Sequence, residues 1–230
     1  MVRALLICAL LLLLSAASAD NGGVRLHRRD ASRPKPSGGA AFTDNFDAYA
    51  DNVALGGQGS WLGVTGTMTT EKPASDTEIF PDSTGALCAA RYNQTFTADQ
   101  YSFCTLSANT GPEERGVSVR CQSGAFTYYA LTYNGTILEL YSEVAGAGTS
   151  ITSTAKTYSN GNRIGLVVSG NGTATRLFAY EDVGSGWVLV FNNQNPTSDI
   201  DGGQPGLSGF GSTVSARVDD WGGGDGTVLP

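Results

Sequence analysis

The chain has a single histidine, His27, among 230 residues. His27 stands in a basic stretch near the N-terminus, so the rest of the chain lacks the side chain on which Ser-His and Cys-His nucleophiles and His-ligated metals depend. Cysteine is scarce: Cys8, Cys88, Cys104 and Cys121 occur without any C-x-x-C pair, which leaves no zinc spacing. Charged residues make up 15% of the chain, well under the ordinary share of roughly 25%. Together with 31 glycines, this rules out a coiled coil or a helical bundle. The longest apolar run, Ala4 to Leu14, falls short of the roughly 20 residues that a membrane-spanning helix needs.

That run follows Arg3 and leads into Ala17-Ser18-Ala19, the charged, greasy and small order of a secretory signal peptide. Residues 1–19 are therefore expected to be removed and the mature chain to be secreted, without a membrane anchor. Residues 20–40 carry Arg25, Arg28, Arg29, Arg33 and Lys35 without apolar periodicity and read as a disordered basic leader. Arg28-Arg29 reads equally as a dibasic cleavage site or as part of a solvated tail. From Ala41 onward the charge inverts, with 8 Lys and Arg against 19 Asp and Glu, a net of −11. Such a surface repels phosphate backbones and anionic lipid, so a neutral polysaccharide or a cation is the easier guest.

From Phe42 onward, short runs rich in Val, Thr, Tyr and Phe recur between Gly, Asn, Asp and Pro clusters, and no stretch sustains helical spacing. The pattern predicts an all-β fold of about twelve strands, shared between two packed sheets. Expected strands include Gln100–Ala108, Gly116–Gln122, Phe126–Tyr133, Thr136–Val144, Thr154–Tyr158, Thr173–Tyr180 and Ser212–Trp221. Asn134-Gly135 reads as a two-residue turn pairing positions that sum to 269, with Leu131/Leu138 and Tyr129/Leu140 on a core face. The opposite face then holds Tyr128/Tyr141, Ala130/Glu139 and Phe126/Glu143, as either plain strand surface or one wall of a binding groove. Trp61 and Trp187 read as core or strand-end packing residues.

A hairpin turning at Gly111 to Glu114 would set Cys104 opposite Cys121, with Leu106/Val119 and Ala108/Val117 as apolar neighbours. Cys104 with Cys121 is the preferred disulfide, and the same arithmetic permits Cys88 with Cys104. Asn93, Asn134 and Asn171 head N-x-[ST] sequons, which permit glycosylation in a secreted chain. Asn134-Gly135 and Asn171-Gly172 also suit type I′ turns.

Several segments together resemble the concanavalin A-like lectin/glucanase jelly roll in its laminin-G-like version. They are Phe42-Thr43-Asp44-Asn45-Phe46, Trp61, Phe96-Thr97-Ala98-Asp99-Gln100-Tyr101, Gly203-Gln204-Pro205-Gly206-Leu207 and Ala216-Arg217-Val218-Asp219-Asp220-Trp221. The resemblance spans roughly residues 41–224, leaving 225–230 as a tail, and implies a two-sheet antiparallel sandwich. It does not choose among lectins, binding modules, glycosidases and lyases. Lyases of this superfamily that use a Gln-x-His pair have no counterpart here. The glucanase strand Glu-x-Asp-x-(x)-Glu is approached by Glu139-Leu140-Tyr141-Ser142-Glu143, which lacks the middle Asp. Glu139 and Glu143 are about 13 Å apart by strand rise, beyond the roughly 5 to 9.5 Å of a glycosidase pair. A Tyr/Arg lyase pairing Tyr128 or Tyr141 with Arg120 stays open.

The expected function is carbohydrate binding, with Tyr128 and Tyr141 as ring platforms and Glu139 and Glu143 as hydroxyl acceptors. The alternatives are a polysaccharide-degrading enzyme of the same superfamily and a structural coat protein. The first and last strands of a jelly roll often run side by side, which would bring Asp44 near Asp219 and Asp220, a set suited to a structural Ca²⁺. Equally, Asp219 and Asp220 read as the end of a strand before Gly222-Gly223-Gly224.

Overall fold

The computed structural model describes residues 41–230 apart from Ala74, Ser75, Thr110 and Thr213. The expected signal peptide, the basic leader, Cys8 and His27 lie outside the described residues. In chain order the strands begin with β1 (Ala41–Asp44), β2 (Trp61–Thr65), β3 (Met68–Glu71), β4 (Glu78–Pro81) and β5 (Ser83–Tyr92). They continue with β6 (Gln100–Asn109), β7 (Glu114–Cys121), β8 (Tyr128–Tyr133), β9 (Ile137–Val144) and β10 (Ala147–Ala155). The last five are β11 (Arg163–Ser169), β12 (Arg176–Asp182), β13 (Val188–Gln194), β14 (Gln204–Gly211) and β15 (Ala216–Asp225). Among the described residues no helix is long and apolar enough to cross a membrane.

The strands form two antiparallel sheets, the sandwich that the alternation predicts. One has seven strands in the order β10-β9-β8-β7-β14-β5-β2; the other has eight, β13-β12-β11-β6-β15-β4-β3, with β1 beside β15. Val117, Val119, Leu131, Leu138, Leu140 and Leu207 of the seven-stranded sheet face Leu106, Ile164, Leu166, Val168 and Val218 of the other, all fully buried. Each such side chain contributes roughly 1.5–3 kcal/mol by leaving water. At one end the core closes on aromatic rings: Trp61 and Trp221 lie 4.8 Å apart, and Phe46 and Tyr92 pack against Trp61. Trp61 is thus a core residue as expected. Trp187, directly before β13, is a strand-end packing residue on the outer face of the eight-stranded sheet, against Phe103 and 4.7 Å beneath the Arg163 guanidinium.

Three strands were missed by the periodicity reading, β2, β4 and the glycine-rich β14, and the strand expected over Thr154–Tyr158 is misplaced, since β10 runs from Ala147 to Ala155. The β8–β9 hairpin is also shifted. Its partners sum to 271, with Tyr133 opposite Leu138 and Ala130 opposite Tyr141. Asn134 is the first corner of the turn rather than its second residue, because its Oδ1 accepts from the N–H groups of Thr136 at 3.1 Å and Ile137 at 2.9 Å. Gly135 takes the first central position at φ +92°, the type II′ requirement. A slip of two positions preserves the faces, since side chains alternate with a period of two. Asn171-Gly172 is no two-residue turn either; Gly172–Ala174 form a short 3-10 turn between β11 and β12.

The expected disulfide does not form. β6 and β7 are not a hairpin but lie in opposite sheets, and Cys88, Cys104 and Cys121 are all free and buried. Cys104 faces the inter-sheet core, whereas Cys121 packs on the outer face of the seven-stranded sheet. The arithmetic failed because Leu106 and Val119 do face a common core, but across the sandwich rather than across a ladder. The alternative partner Cys88 also belongs to the seven-stranded sheet and is free.

Candidate functional site

The outer face of the seven-stranded sheet carries the residues that the sequence singles out. Strand register aligns Glu139, Thr132, Gly116, Ser208 and Ala89 in one row, and Tyr141, Ala130, Ser118, Gly206 and Arg91 in the next. The middle of each row is small, which makes a trough floor. Gly206 shows why: a Cβ there would lie 2.1 Å from the Ala90 carbonyl oxygen. Tyr141 lies down across this floor, and its hydroxyl meets the Ser208 hydroxyl at 3.2 Å. From β9 to β14 is three strand spacings, roughly 14 Å along a flat sheet. The bond can form only because the sheet curves toward this face.

On this face lies an open cleft of ≈ 380 Å³ lined by Glu114, Glu139, Tyr141 and Glu143, with Leu87, Phe210 and the β10 segment Gly148, Thr149 and Ser150. The β9–β10 turn places that segment: Ala145 and Gly146, both at positive φ, join Val144 to Ala147, and Thr127 Oγ1 accepts from the Ala145 N–H at 3.1 Å. Phe210 projects between Leu87 and Glu114 and is 39% exposed, an open aromatic ring at the cleft mouth.

Of the four residues expected to bind sugar, Tyr141, Glu139 and Glu143 line the cleft. Tyr128 does not, which corrects its role: it is 0% exposed, beneath the cleft with its ring 6.4 Å from that of Tyr141, and offers no face to a ligand. Tyr141 is itself only 7% exposed, so it is a wall rather than a stacking platform. Sequence reasoning missed Glu114 and Phe210. The signal for Phe210 was an aromatic on the outward phase of Leu207-Ser208-Gly209-Phe210, hidden because the segment did not read as a strand.

The electrostatics of the cleft are one-sided. Burial pushes the Glu143 carboxyl upward, and its Oε1 has no hydrogen-bond partner. Burial raises the Glu114 carboxyl too, with the charge of Glu139 adding to the effect and the bond from Thr132 Oγ1 to Glu114 Oε2, at 3.2 Å, opposing it. Desolvation also lifts the Tyr141 phenol well above its ordinary value, with smaller contributions from Tyr128, Glu114 and Glu143. Tyr141 is therefore a neutral hydrogen-bonding group, not a base. Arg120 cannot join it in a lyase pair. Its guanidinium is fully buried and donates to the carbonyls of Ala98, Gly170 and Ile200. Cys121, near the floor, is an inert thiol whose pKa burial pushes up to about 12.

The proposed calcium ligands are not assembled. β1 does run beside β15, with Asp44 opposite Trp221. Yet the Asp44 carboxylate accepts from Phe46 N–H, Tyr49 Oη and Trp61 Nε1, which ties it to the aromatic end of the core. Asp219 is raised to about 7, by burial first and then by Asp220, Asp76 and Glu78. Among the described residues no three acidic, cysteine or histidine groups are placed to hold a metal.

No protein-family model matches the chain, and no curated protein matches it. Solved structures do. The carbohydrate-binding module CBM66 from Bacillus subtilis is similar over 73% of this chain and 96% of its own, at 14% identity and a TM-score of 0.52. A protein of unknown function with a galectin-like fold, also from Bacillus subtilis, is similar over 85% of this chain and 99% of its own, at 10% identity and a TM-score of 0.54. A xylan β-1,4-xylosidase from Bacillus halodurans C-125 is similar over 80% of this chain but 39% of its own, at 9% identity and a TM-score of 0.51. Identities this low carry the fold and nothing finer: this chain has the two-sheet jelly-roll-like sandwich seen in these proteins.

Proposed function

We propose that the protein is a secreted, non-catalytic carbohydrate-binding module of the concanavalin A-like type, using the cleft on its curved seven-stranded sheet. The observation that carries the reading is the lining of that cleft, which joins an exposed aromatic ring, hydroxyls and carboxylates on one sheet face. A pyranose ring has an apolar face that packs on an aromatic and an equatorial rim of hydroxyls that donates to carboxylates. Phe210 supplies the first; Glu114, Glu139, Thr149 and Ser150 supply the second. The likeness to a carbohydrate-binding module supports the reading, and the signal-like N-terminus supports secretion. A glycan array probed with the full chain and with Phe210→Ala, each with and without calcium, tests it. Binding of a glycan family by the native chain and its loss in the variant is the expected result. No glycan above background in any condition ends the proposal.

A second reading, a polysaccharide hydrolase, is favoured by one observation: Glu114 and Glu139 share the cleft, and burial, with a smaller push from the charge of Glu139, raises the Glu114 carboxyl. A raised acid beside a second carboxylate is the division of labour that glycoside cleavage uses. Reducing sugar released from a polysaccharide panel, and abolished by Glu114→Gln, would establish it over simple binding.

A further inference from the structure

The cleft contains a charge that nothing on the protein answers. Glu143 is 1% exposed, lines the cleft, and leaves its Oε1 without a hydrogen-bond partner. Glu114 and Glu139 line the same cleft, and no lining residue among those described is basic. The nearest arginine in the same rows, Arg91, is turned to the Gln204 amide oxygen. Inward of the sheet, Arg115 donates to the Gly111 and Glu113 carbonyls and lies over the Tyr133 ring, so it faces the core rather than the cleft.

A buried carboxylate without a counter-charge costs several kcal/mol unless it is neutralised or paired. Burial alone raises Glu143, with no cation drawing it down. Among the described residues no three acidic, cysteine or histidine groups converge here. What the lining does match is a ligand with a small cation on a ring: an ammonium for the carboxylates, an apolar pyranose face for Phe210 and Leu87, and hydroxyls for Thr149 and Ser150.

We therefore infer that the preferred ligand is an oligosaccharide of 2-amino sugars carrying free, protonated amino groups. The inference rests on the proposed carbohydrate-binding role and narrows it to cationic glycans. The domain's net charge of −11 from Ala41 onward acts in the same direction, drawing a polycationic glycan toward the surface before the cleft engages it.

The test compares three β-1,4-linked hexasaccharides that differ only at C2: glucosamine hexamer (ammonium), its fully N-acetylated form (amide) and cellohexaose (hydroxyl). Calorimetric titration of the full chain at pH 6 and low salt should give at least tenfold tighter binding of the glucosamine hexamer than of either neutral one. The preference should collapse in 0.5 M NaCl and in Glu143→Gln, whose shape is retained, while residual binding to the neutral oligomers persists. Hexalysine, a cation without a ring, should bind at least tenfold more weakly than the glucosamine hexamer. Equal affinity for the three sugars, or preference for a neutral one, overturns the amino-sugar inference and leaves glycan binding standing. Equal affinity for hexalysine overturns it in favour of a basic peptide. If neither these sugars nor any glycan on the array binds, the inference and the carbohydrate-binding role fall together.

Discussion

The two outer faces of the sandwich are built from the same kind of strand and finished in opposite ways. On the eight-stranded sheet, Tyr101, Phe103 and Val167 point outward and would form a greasy surface, but the C-terminal segment covers them. Leu229 packs there at 7% exposure, and the Trp187 indole donates to the Pro230 carbonyl at 2.9 Å. On the seven-stranded sheet the outward residues around the cleft are mostly small, hydroxylated or acidic, with Leu87 and Phe210 at its side and Tyr128 and Tyr141 folded onto the floor, and among the described residues no segment packs over it as Leu229 does on the other face. An apolar face that carries its own lid serves stability. A curved face left uncovered, with a carboxylate buried in its wall, is where a ligand would complete the structure.

The sharpest break of that comparison is to remove the lid. Deleting Thr227–Pro230 uncovers Tyr101, Phe103 and Val167 and loses the buried Leu229. The expected cost is about 3 kcal/mol, a fall in Tm of roughly 6–12 °C for a domain of this size. Binding of the cleft ligand, on the opposite sheet, should be unchanged when measured well below Tm. A deletion that left Tm in place but abolished binding would show that the two faces are not divided as described.

The sequence made the inner faces easy to read and the outer ones hard. Alternation found β6, β7, β8, β9 and β12 to within a few residues because every second side chain enters one dense core. It also put Glu139, Tyr141 and Glu143 on one outward face correctly, even though the turn was read two positions off. It failed at β14, where glycines needed for close backbone approach looked like loop. It failed again at residues 225–230, set aside as a tail, because nothing local marks Leu229 as half of a long-range contact. The disulfide failed for a related reason: apolar neighbours at matching positions report a shared core, not a shared ladder. Burial is likewise not local. Tyr128 reads as an exposed platform until it is seen to pack with Ala89, Ala130, Cys121 and Tyr141, which bury its ring.

A smaller effect sharpens the comparison from the other side. Phe210→Ala removes an exposed ring, so stability should change by less than about 0.5 kcal/mol. Affinity should fall roughly tenfold, the ~1.4 kcal/mol that one aromatic packing against a ring face contributes. Equilibrium denaturation and titration of the same preparation separate the two quantities. A large loss of stability with affinity intact would make Phe210 a packing residue and return the cleft mouth to ordinary surface.

The smallest effect is the most diagnostic, because its sign opposes the usual one. Most substitutions destabilise, yet Glu143→Gln should stabilise the unliganded protein by roughly 1 kcal/mol near neutral pH, by removing a buried charge that lacks a partner. The folded state holds this carboxyl above its unfolded value, so it favours the protonated form. The stability that Glu143 contributes is then complete below the unfolded pKa and is lost as pH rises through the raised folded one. The native chain should therefore become less stable relative to Glu143→Gln as pH climbs from about 4 toward 7, and the two curves should converge in acid. Saturating cationic ligand should reverse the order at neutral pH, since only the native chain gains the ion pair. If the variant is less stable at every pH without ligand, Glu143 is an ordinary structural carboxylate, and the contrast between a finished face and an unfinished one loses its strongest residue.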